Sequence, residues 1–200
     1  MIEHCDAATE VLPHSDSPAG AECLILVDDA DQEVGHASRL HCHEGHGLLH
    51  RAFSLFIFNE AGELLIQQRA AGKRLWPLYW SNSCCSHPRR AESMDLAIHR
   101  RLQEELGLKC PLHFLFKFKY QAQFDGAGAE HELCSVFIGR SSAPAVRADR
   151  SELAAWRWIA PEALDAEMRT GAMQFTPWFT QEWERIRRDH QPAVRALGRG

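Results

Sequence analysis

One segment constrains the fold of this chain more than any other, because its pattern fits only an amphipathic helix. Apolar side chains recur there every four residues: Met94, Ile98, Leu102 and Leu106. Such a stripe has to be buried against another layer of structure. Ser93 can cap the helix, Asp95 lies in its first turn, and Gly107 is suited to end it. The sequence therefore predicts a helix over residues 93–106 that packs on a sheet.

Short apolar runs elsewhere in the chain have the length and composition of strands. They cover residues 23–27, 52–58, 63–69, 114–123, 133–138 and 156–159. Pro161 and Pro177 each suit the first turn of a later helix, the second running to about Asp189. Mixed strands and helices without a repeat predict a single-domain α/β sandwich over 21–189. A flexible N-terminal extension (1–20) and a C-terminal tail (190–200) are expected to flank it.

Charge and cysteine content narrow the class of protein. Lys and Arg total 22 against 27 Asp and Glu, a net charge of −5, which argues against a broad nucleic-acid-binding surface. The seven cysteines are odd in number and form no CxxC pair, so no disulfide framework is expected. The acidic N-terminus does not read as a signal peptide, and no apolar run is long enough to span a bilayer. These features predict a reduced, cytoplasmic protein.

The stretch from Ser86 to Leu108 resembles the Nudix box, G-x5-E-x7-R-E-U-x-E-E-x-G-U, in which U is apolar. Seven positions fall in register: Glu92, Arg100, Leu102, Glu104, Glu105, Gly107 and Leu108. Ser86 stands where the pattern has its first Gly, and Arg101 stands where it has a Glu. The resemblance implies a Nudix-like α/β/α sandwich with a mixed β-sheet.

The substitution at position 101 bears on function. Arg101 and Glu105 are four residues apart and share a helix face. That face can present a guanidinium to phosphate oxygens and a carboxylate to Mg²⁺. The plain alternative is a solvated helix with ordinary ion pairs. A hydrolytic Nudix enzyme needs a carboxylate at 101 to help hold catalytic magnesium. An arginine there indicates a protein that binds diphosphate without cleaving it.

Histidines and glutamates are grouped as metal ligands often are. Several of the 12 His lie in the run from His41 to His50, His-Cys-His-Glu-Gly-His-Gly-Leu-Leu-His. Glu130 and Glu132 point to the same side of an extended chain, so both carboxylates can converge on one ion. Imidazole nitrogens with carboxylate oxygens suit Mn²⁺, Mg²⁺ or Zn²⁺, and the mixture favours six-coordinate Mn²⁺ or Mg²⁺ over closed tetrahedral zinc.

An ordered set of short segments makes the resemblance more specific. The segments are H-x6-H at 43–50, A-F-S at 52–54, W-P at 76–77, W-x-N-S at 80–83, C-x-H-P at 85–88, E-x-E at 130–132 and P-W at 177–178. Their order and rough spacing resemble those of type I isopentenyl diphosphate isomerases, over about residues 22–185. The resemblance implies an isomerase that interconverts isopentenyl and dimethylallyl diphosphate in isoprenoid biosynthesis, through protonation and deprotonation by way of a tertiary carbocation.

The resemblance also implies roles for individual residues. A divalent metal would be bound by His43, His50, His87, Glu130 and Glu132. Cys85 and Glu132 would be the catalytic pair, with Tyr120 supporting Glu132 and Trp178 beside the carbocation. Glu105 and the Cys85 carbonyl would hold a second ion, Mg²⁺, on the diphosphate. The substrate-binding residues would be Arg39, Arg69, Lys73, Arg101 and Ser86. The family usually has Lys at the position of Arg39 and commonly has Gly at the position of Ser86.

Three questions stay open from the sequence. Either Cys85 or Glu132, the latter alone or through Tyr120, can deliver the first proton. The chain can be a monomer or a homodimer with a small-molecule diphosphate as its partner. A Nudix hydrolase and a zinc-stabilised binding module are the alternative functions. The first predicts Glu at 101 and Gly at 86, and the second needs paired ligands at finger-like spacing.

Overall fold

The computed structural model describes residues 23–142, 146–171 and 173–197. Within them the elements follow in the order β1 (Cys23–Val27), β2 (Glu33–Ser38), α1 (Arg39–Cys42), β3 (His50–Phe58), β4 (Leu64–Arg69), β5 (Trp80–Ser81), β6 (Cys84–Ser86), α2 (Met94–Leu106), β7 (Leu112–Phe124), β8 (Gly128–Arg140), β9 (Leu153–Ile159), α3 (Pro161–Thr170), α4 (Pro177–Asp189) and α5 (Gln191–Ala196). The predicted extension 1–20 lies outside the described residues.

Strand β3 is the centre of a mixed sheet. Along one edge it pairs in parallel with β8 over its whole length, from His50 opposite Glu132 to Phe58 opposite Arg140. Strands β1, β6 and β4 pair with β3 antiparallel at its start, middle and end. The β7–β8 hairpin, the β1–β2 hairpin and the β4–β9 pair extend the sheet. The parallel β3–β8 pair makes the sheet mixed.

Both faces of β3 are buried, which explains why its sequence is almost continuously apolar. Ala52, Phe56 and Phe58 face a first core that includes side chains of α3 and α4. Phe53, Leu55 and Ile57 alternate to a second core, which the apolar stripe of α2 completes. Helices therefore cover both faces, and the predicted α/β/α sandwich is confirmed. Across the described residues no helix combines the length and apolarity needed to cross a membrane.

Helix α2 begins and ends as its sequence predicts. The Ser93 side chain accepts a hydrogen bond from the Leu96 amide at 3.2 Å. Gly107 adopts the left-handed conformation (φ 66°) and closes the C-terminus. Ile98, Leu102 and Leu106 are buried in the second core. The predicted amphipathic helix is confirmed.

Several elements were not predicted. Strand β2 (EVGHAS) is mostly polar and partly exposed, so it lacks the alternation that marks a half-buried strand. Strands β5 and β6 have only two and three residues. Helix α5 occupies part of the predicted tail, where Val194 and the following Leu197 pack against the first core. The domain boundaries themselves stay predictions.

The tip of the β7–β8 hairpin is fastened to the loop after α1. The Ala129 amide donates a hydrogen bond to the His43 carbonyl oxygen at 3.1 Å. Gly128, beside it, has φ +146°, and a Cβ at this position would lie 2.1 Å from the same oxygen. Gly126 also has a positive φ (+73°), but no atom would lie within 4 Å of a Cβ there. The close approach therefore requires glycine at 128 for space as well as for conformation.

Replacing Gly128 by alanine should lower the free energy of unfolding by about 1–3 kcal/mol more than replacing Gly126, because only the first Cβ collides with backbone. Gly126→Ala should cost about 1 kcal/mol from its backbone conformation alone. Urea unfolding followed by circular dichroism measures both variants. Equal losses would show that the contact with the His43 carbonyl is not a tight constraint.

Candidate active site

Five side chains predicted as metal ligands come together on the first-core side of the sheet. We call His43, His50, His87, Glu130 and Glu132 the ligand cluster; all are buried, and one ligand atom of each lies within 4.8 Å of every other. His43 follows α1, His50 begins β3, His87 follows β6, and both glutamates lie on β8. Because His50 of β3 is paired with Glu132 of β8, the candidate ligands on these two strands lie side by side.

Backbone carbonyls fix the orientation of two imidazoles. Nδ1 of His43 lies 2.6 Å from the Arg39 carbonyl oxygen, and Nδ1 of His50 lies 2.7 Å from that of Leu48. A carbonyl oxygen only accepts, so both Nδ1 atoms carry the proton. The lone pair of each Nε2 is then directed at the cluster, the arrangement that a metal-binding histidine needs.

The donor atoms of the cluster fit a divalent cation. Nε2 of His43 lies 2.8 Å from Oε2 of Glu130, and Nε2 of His87 lies 2.8 Å from Oε1 of Glu132. Within the described residues, His50 Nε2 and His87 Nδ1 are buried without a hydrogen-bond partner. Unpaired buried polar atoms are costly. A cation shared by these nitrogens and oxygens would remove that cost.

The protonation states of His87 and Glu132 suit metal binding as well, whereas at His43 burial is outweighed by Glu130, which raises the pKa of that ring. Burial lowers the pKa of His87 to about 4, so its ring is neutral near pH 7. Burial alone would raise the pKa of Glu132, but His50 and His87 outweigh it and hold that pKa well below its usual value. Neutral imidazole and ionised carboxylate are the forms that coordinate a metal.

Tyr120 and Glu132 form a direct pair across the β7–β8 hairpin. The two residues are opposite each other in the register. The Tyr120 hydroxyl donates a hydrogen bond to Oε2 of Glu132 at 2.7 Å. Burial raises the pKa of Tyr120 well above its usual value, so the hydroxyl keeps its proton. The predicted support of Glu132 by Tyr120 agrees with this geometry.

Cys85 lies on the same face of the sheet as Glu132. Cys85 pairs with Ser54 of β3, and Ser54 is on the face that His50 and Glu132 share. Burial raises the pKa of Cys85 to about 12, with Arg69 opposing the shift and Glu132 adding to it. The predicted pair therefore shares one face of the sheet, and the Cys85 thiol keeps its proton near pH 7.

Trp178 is 2% exposed and stands in an aromatic wall beside these groups. Its ring meets Trp76 edge-on at 5.2 Å and lies 6.1 Å from Tyr120 between centroids. Its Nε1–H donates to Ser81 Oγ at 3.1 Å, which fixes the ring plane. The Arg69 guanidinium lies 5.4 Å from the ring centroid. The indole face is thus arranged to attract positive charge.

A cavity of about 310 Å³ adjoins the ligand cluster. We call it the cationic cavity, and it is lined by Arg39, Leu40, His43, Arg69, Gly72, Lys73, Arg74, Leu75 and Glu130. Arg69 is held in place by donating to the carbonyl oxygens of Leu75 and Trp76. Three of the predicted substrate-binding cations therefore line one pocket. Arg74, which also lines it, was not singled out from the sequence.

Arg101 lies on α2 and does not line that cavity, but Glu152 connects it to Lys73, which does. Arg101 donates to Glu105, four residues on, and to Glu152 at 3.2 Å. Glu152 also binds Lys73. Burial would raise the pKa of Glu152, but Lys73 and then Arg101 lower it to about 2. Burial raises the pKa of Glu105, which Arg101 opposes.

Ser86 and Cys84 lie on the other face. Ser86 pairs with Phe53 and Cys84 with Leu55, and both partners belong to the second core. Cys84 is buried there, and the charge of Glu105 is among the causes that raise its pKa. The structure thus separates the side chain of Ser86 from that of Cys85 and places it on the side where Glu105 lies.

Comparison with known proteins agrees with this geometry. The NUDIX domain model matches residues 48–179. The chain is 41% identical to isopentenyl-diphosphate Delta-isomerase 1 of Photorhabdus laumondii over 171 residues, covering 84% of this chain and 97% of that protein. It is 44% identical to the isopentenyl-diphosphate Delta-isomerase of Burkholderia multivorans over 158 residues, covering 79% and 89%.

The chain belongs to the isopentenyl-diphosphate Delta-isomerase family. Solved structures support the NUDIX fold of this isomerase-family member. A Deinococcus radiodurans protein, DR0079, matches with a TM-score of 0.67 at 23% identity, covering 85% of this chain and 100% of that one. The MutT protein of Methanosarcina mazei matches with a TM-score of 0.59 at 19% identity, covering 72% and 96%.

Three residues of this isomerase-family chain escaped sequence reasoning. Glu152 precedes β9 and Arg74 lies in the loop after β4, and neither belongs to a motif that would mark it. Glu182 lies on α4 and is completely buried. One signal was available for Glu182: it is four residues after Trp178, so both share a face of that helix.

Replacing Glu152 by glutamine should lower the free energy of unfolding by about 1–3 kcal/mol at pH 7, because Lys73 and Arg101 lose their shared partner. The pKa of Glu152 is depressed to about 2 in the folded protein. Its contribution is therefore present above its unfolded pKa of about 4.3 and is lost as pH falls towards 2.

Urea unfolding at pH 7 and at about pH 3 tests this expectation. The difference between the wild type and Glu152→Gln should shrink at the lower pH. Glu60→Gln, at an exposed position in the β3–β4 turn, is the matched control and should change little at either pH. A Glu152→Gln deficit that is constant with pH would argue against an ionic role.

Proposed function

We propose that this protein interconverts isopentenyl diphosphate and dimethylallyl diphosphate in isoprenoid biosynthesis. One observation carries the proposal: Cys85 shares one face of the sheet with Glu132 of the ligand cluster, and Tyr120, the hydrogen-bond partner of Glu132, lies 6.1 Å from Trp178 between ring centroids. The names of the related proteins support the substrate. The cationic cavity next to the cluster suits a diphosphate group.

The reaction is a proton shift. Protonation of the terminal alkene carbon gives a tertiary carbocation, and loss of a proton from the carbon on the other side moves the double bond. One group must donate a proton and another must accept one. Cys85 and Glu132 fill these places, and Tyr120 holds Glu132 through its hydrogen bond. Because the reaction is reversible, each of the two groups serves as acid in one direction and as base in the other.

The remaining site residues would bind and shield. Trp178 would present its ring face to the carbocation, an attraction of about 2 kcal/mol in a desolvated site. Arg39, Arg69 and Lys73 would bind the diphosphate from the cationic cavity, and Arg101 and Ser86 from the α2 side. Arg69 connects the two ends of the site, since it lines the cavity and also lies over the Trp178 ring. Fixing the inert diphosphate would orient the alkene between its acid and base.

Two metal ions belong to the proposal. The ligand cluster would hold Mn²⁺ or Mg²⁺, with Zn²⁺ as the alternative, because three nitrogens and two carboxylates suit a coordination number above four. Such an ion would supply charge that stabilises the ionised form of Glu132. Glu105, with the backbone carbonyl of Cys85, would hold Mg²⁺ on the diphosphate. Burial is the main cause of the raised pKa of Cys85, but the charge of Glu105 adds to it, and this proximity supports the placement.

A reducing compartment fits this chemistry. The six cysteines within the described residues are free, and Cys85 would need its thiol for the reaction. We therefore propose a cytoplasmic enzyme that acts as a monomer or homodimer on its small-molecule substrate, without a nucleic-acid partner.

The proposal predicts a specific product. Incubation of the protein with isopentenyl diphosphate and Mg²⁺ should yield an acid-labile allylic diphosphate, detected after acid quenching. Release of free phosphate instead would indicate a Nudix hydrolase. Absence of both products would indicate a binding protein.

Cys85→Ala should reduce isomerisation by at least about 10²–10⁴-fold while the protein stays folded, because one of the two proton-transfer groups is gone. Cys84→Ala is the matched control: the adjacent thiol faces the second core and should be dispensable for turnover. Turnover rates with circular dichroism of each variant decide the matter. Activity retained in Cys85→Ala would remove Cys85 from the mechanism.

Glu132→Gln should lose both bound metal and turnover, since it removes a charged ligand from the cluster without changing its volume. Elemental analysis after dialysis measures the metal. Glu33→Gln, which alters an exposed glutamate paired with His36 on β2, should retain the wild-type metal content. Wild-type metal content in Glu132→Gln would separate Glu132 from the metal site.

A further inference from the structure

Glu182 is a buried carboxyl group with no role in the scheme above. It lies on α4 with an exposure of 0% and is one turn beyond Trp178 on the same helix face. Its Oε1 lies 3.5 Å from the Cys134 thiol sulfur. Among the described residues its Oε2 has no hydrogen-bond partner. Across the described ranges no cation forms an ion pair with it, which is unusual for a glutamate in a core.

The contacts of Glu182 lead to both members of the catalytic pair. Cys134, which contacts Glu182, also lies 3.5 Å from the Ser54 hydroxyl oxygen through its sulfur. Ser54 is directly opposite Cys85 in the β3–β6 register. Cys134 follows Glu132 by two residues on β8 and so shares its face. Glu182 therefore lies on the face of the sheet that carries both proton-transfer groups, Cys85 on β6 and Glu132 on β8.

The surroundings favour the uncharged form of Glu182. The groups that face it are Ser54 on β3, Cys134 and Glu132 on β8, and Cys85 on β6, none of which is a cation. Burial raises its pKa to about 8, the charge of Glu132 adds to the shift, and hydrogen bonds from Ser54 and Cys134 oppose it. A carboxylic acid without a charge is the form that such a site tolerates near neutral pH.

We propose that Glu182 is a positioning residue that, as an uncharged carboxylic acid, holds Cys134 in place and through it Ser54, and that losing its proton impairs the Cys85–Glu132 pair. The inference rests on the proposed function. An ionised Glu182 would place a negative charge beside Cys85 and Glu132. That charge raises the pKa of either group and so weakens whichever of them protonates the alkene.

The test is the pH dependence of turnover in the metal-loaded protein with Glu182→Gln. Glutamine keeps the volume and the hydrogen bonds but has no proton to lose. At pH 7 the variant should retain turnover within about threefold of wild type, with KM unchanged. Wild-type turnover should fall above about pH 8, so that at about pH 9 the variant is about tenfold faster. Glu184→Gln, at an exposed position on the same helix, should follow the wild type.

Infrared spectroscopy provides a readout that needs no substrate. A protonated carboxyl band that titrates near pH 8 should be present in the wild type and in Glu184→Gln, and absent from Glu182→Gln. Superimposable pH profiles, absence of that band, or loss of activity at pH 7 in a folded Glu182→Gln would each overturn the inference. Absence of allylic product from the wild type would instead sink the proposed function itself, which keeps the two failures distinct.

Discussion

The parallel pairing of β3 with β8 is the contact on which the rest of the structure depends. It sets His50 opposite Glu132 and continues without a break to Phe58 opposite Arg140. One end of the pair therefore carries candidate metal ligands, and the other end carries residues of the hydrophobic core. Two further parts of the site are attached to this pair, β6 through β3 and Tyr120 through β8. A parallel pair needs a long connection between its strands, and that connection includes α2.

The same arrangement explains how so many ionisable groups can be buried. A buried carboxylate costs several kcal/mol unless it is paired. Here these carboxylates have basic partners close by. Histidines surround Glu130 and Glu132, and Arg101 and Lys73 flank Glu152. Glu182 departs from the pattern because no cation in the described part of the chain pairs with it, and we propose that its proton takes the place of a partner. The apolar surface of two cores, packed on both faces of one sheet, offsets these costs.

Much of this could be predicted from the sequence because the relevant signals are periodic or grouped. The stripe of α2 and the apolar run of β3 each have one structural solution, and the ordered short segments identified the ligand cluster and the family. Residues such as Glu152 could not be found in this way. A single glutamate in a loop carries no pattern, and its meeting with Lys73 and Arg101 depends on how β4, β9 and α2 are arranged in space. Strand β2 was missed for a related reason, since pairing with β1 rather than its own composition makes it a strand.

The two neighbouring cysteines of β6 show how the alternation of side chains between the two faces of the sheet constrains the register of this strand. Cys84 and Cys85 point to opposite faces, one into the second core and one towards Glu132. A shift of β6 by one residue against β3 would exchange the faces of its side chains. In most strands a slip of that kind would replace a reactive group by an unrelated one. In this strand one of the two possible slips would bring another sulfur, that of Cys84, opposite Ser54. The same slip would turn His87, which directly follows β6, away from the ligand cluster, so the second thiol does not relax the register that the site requires.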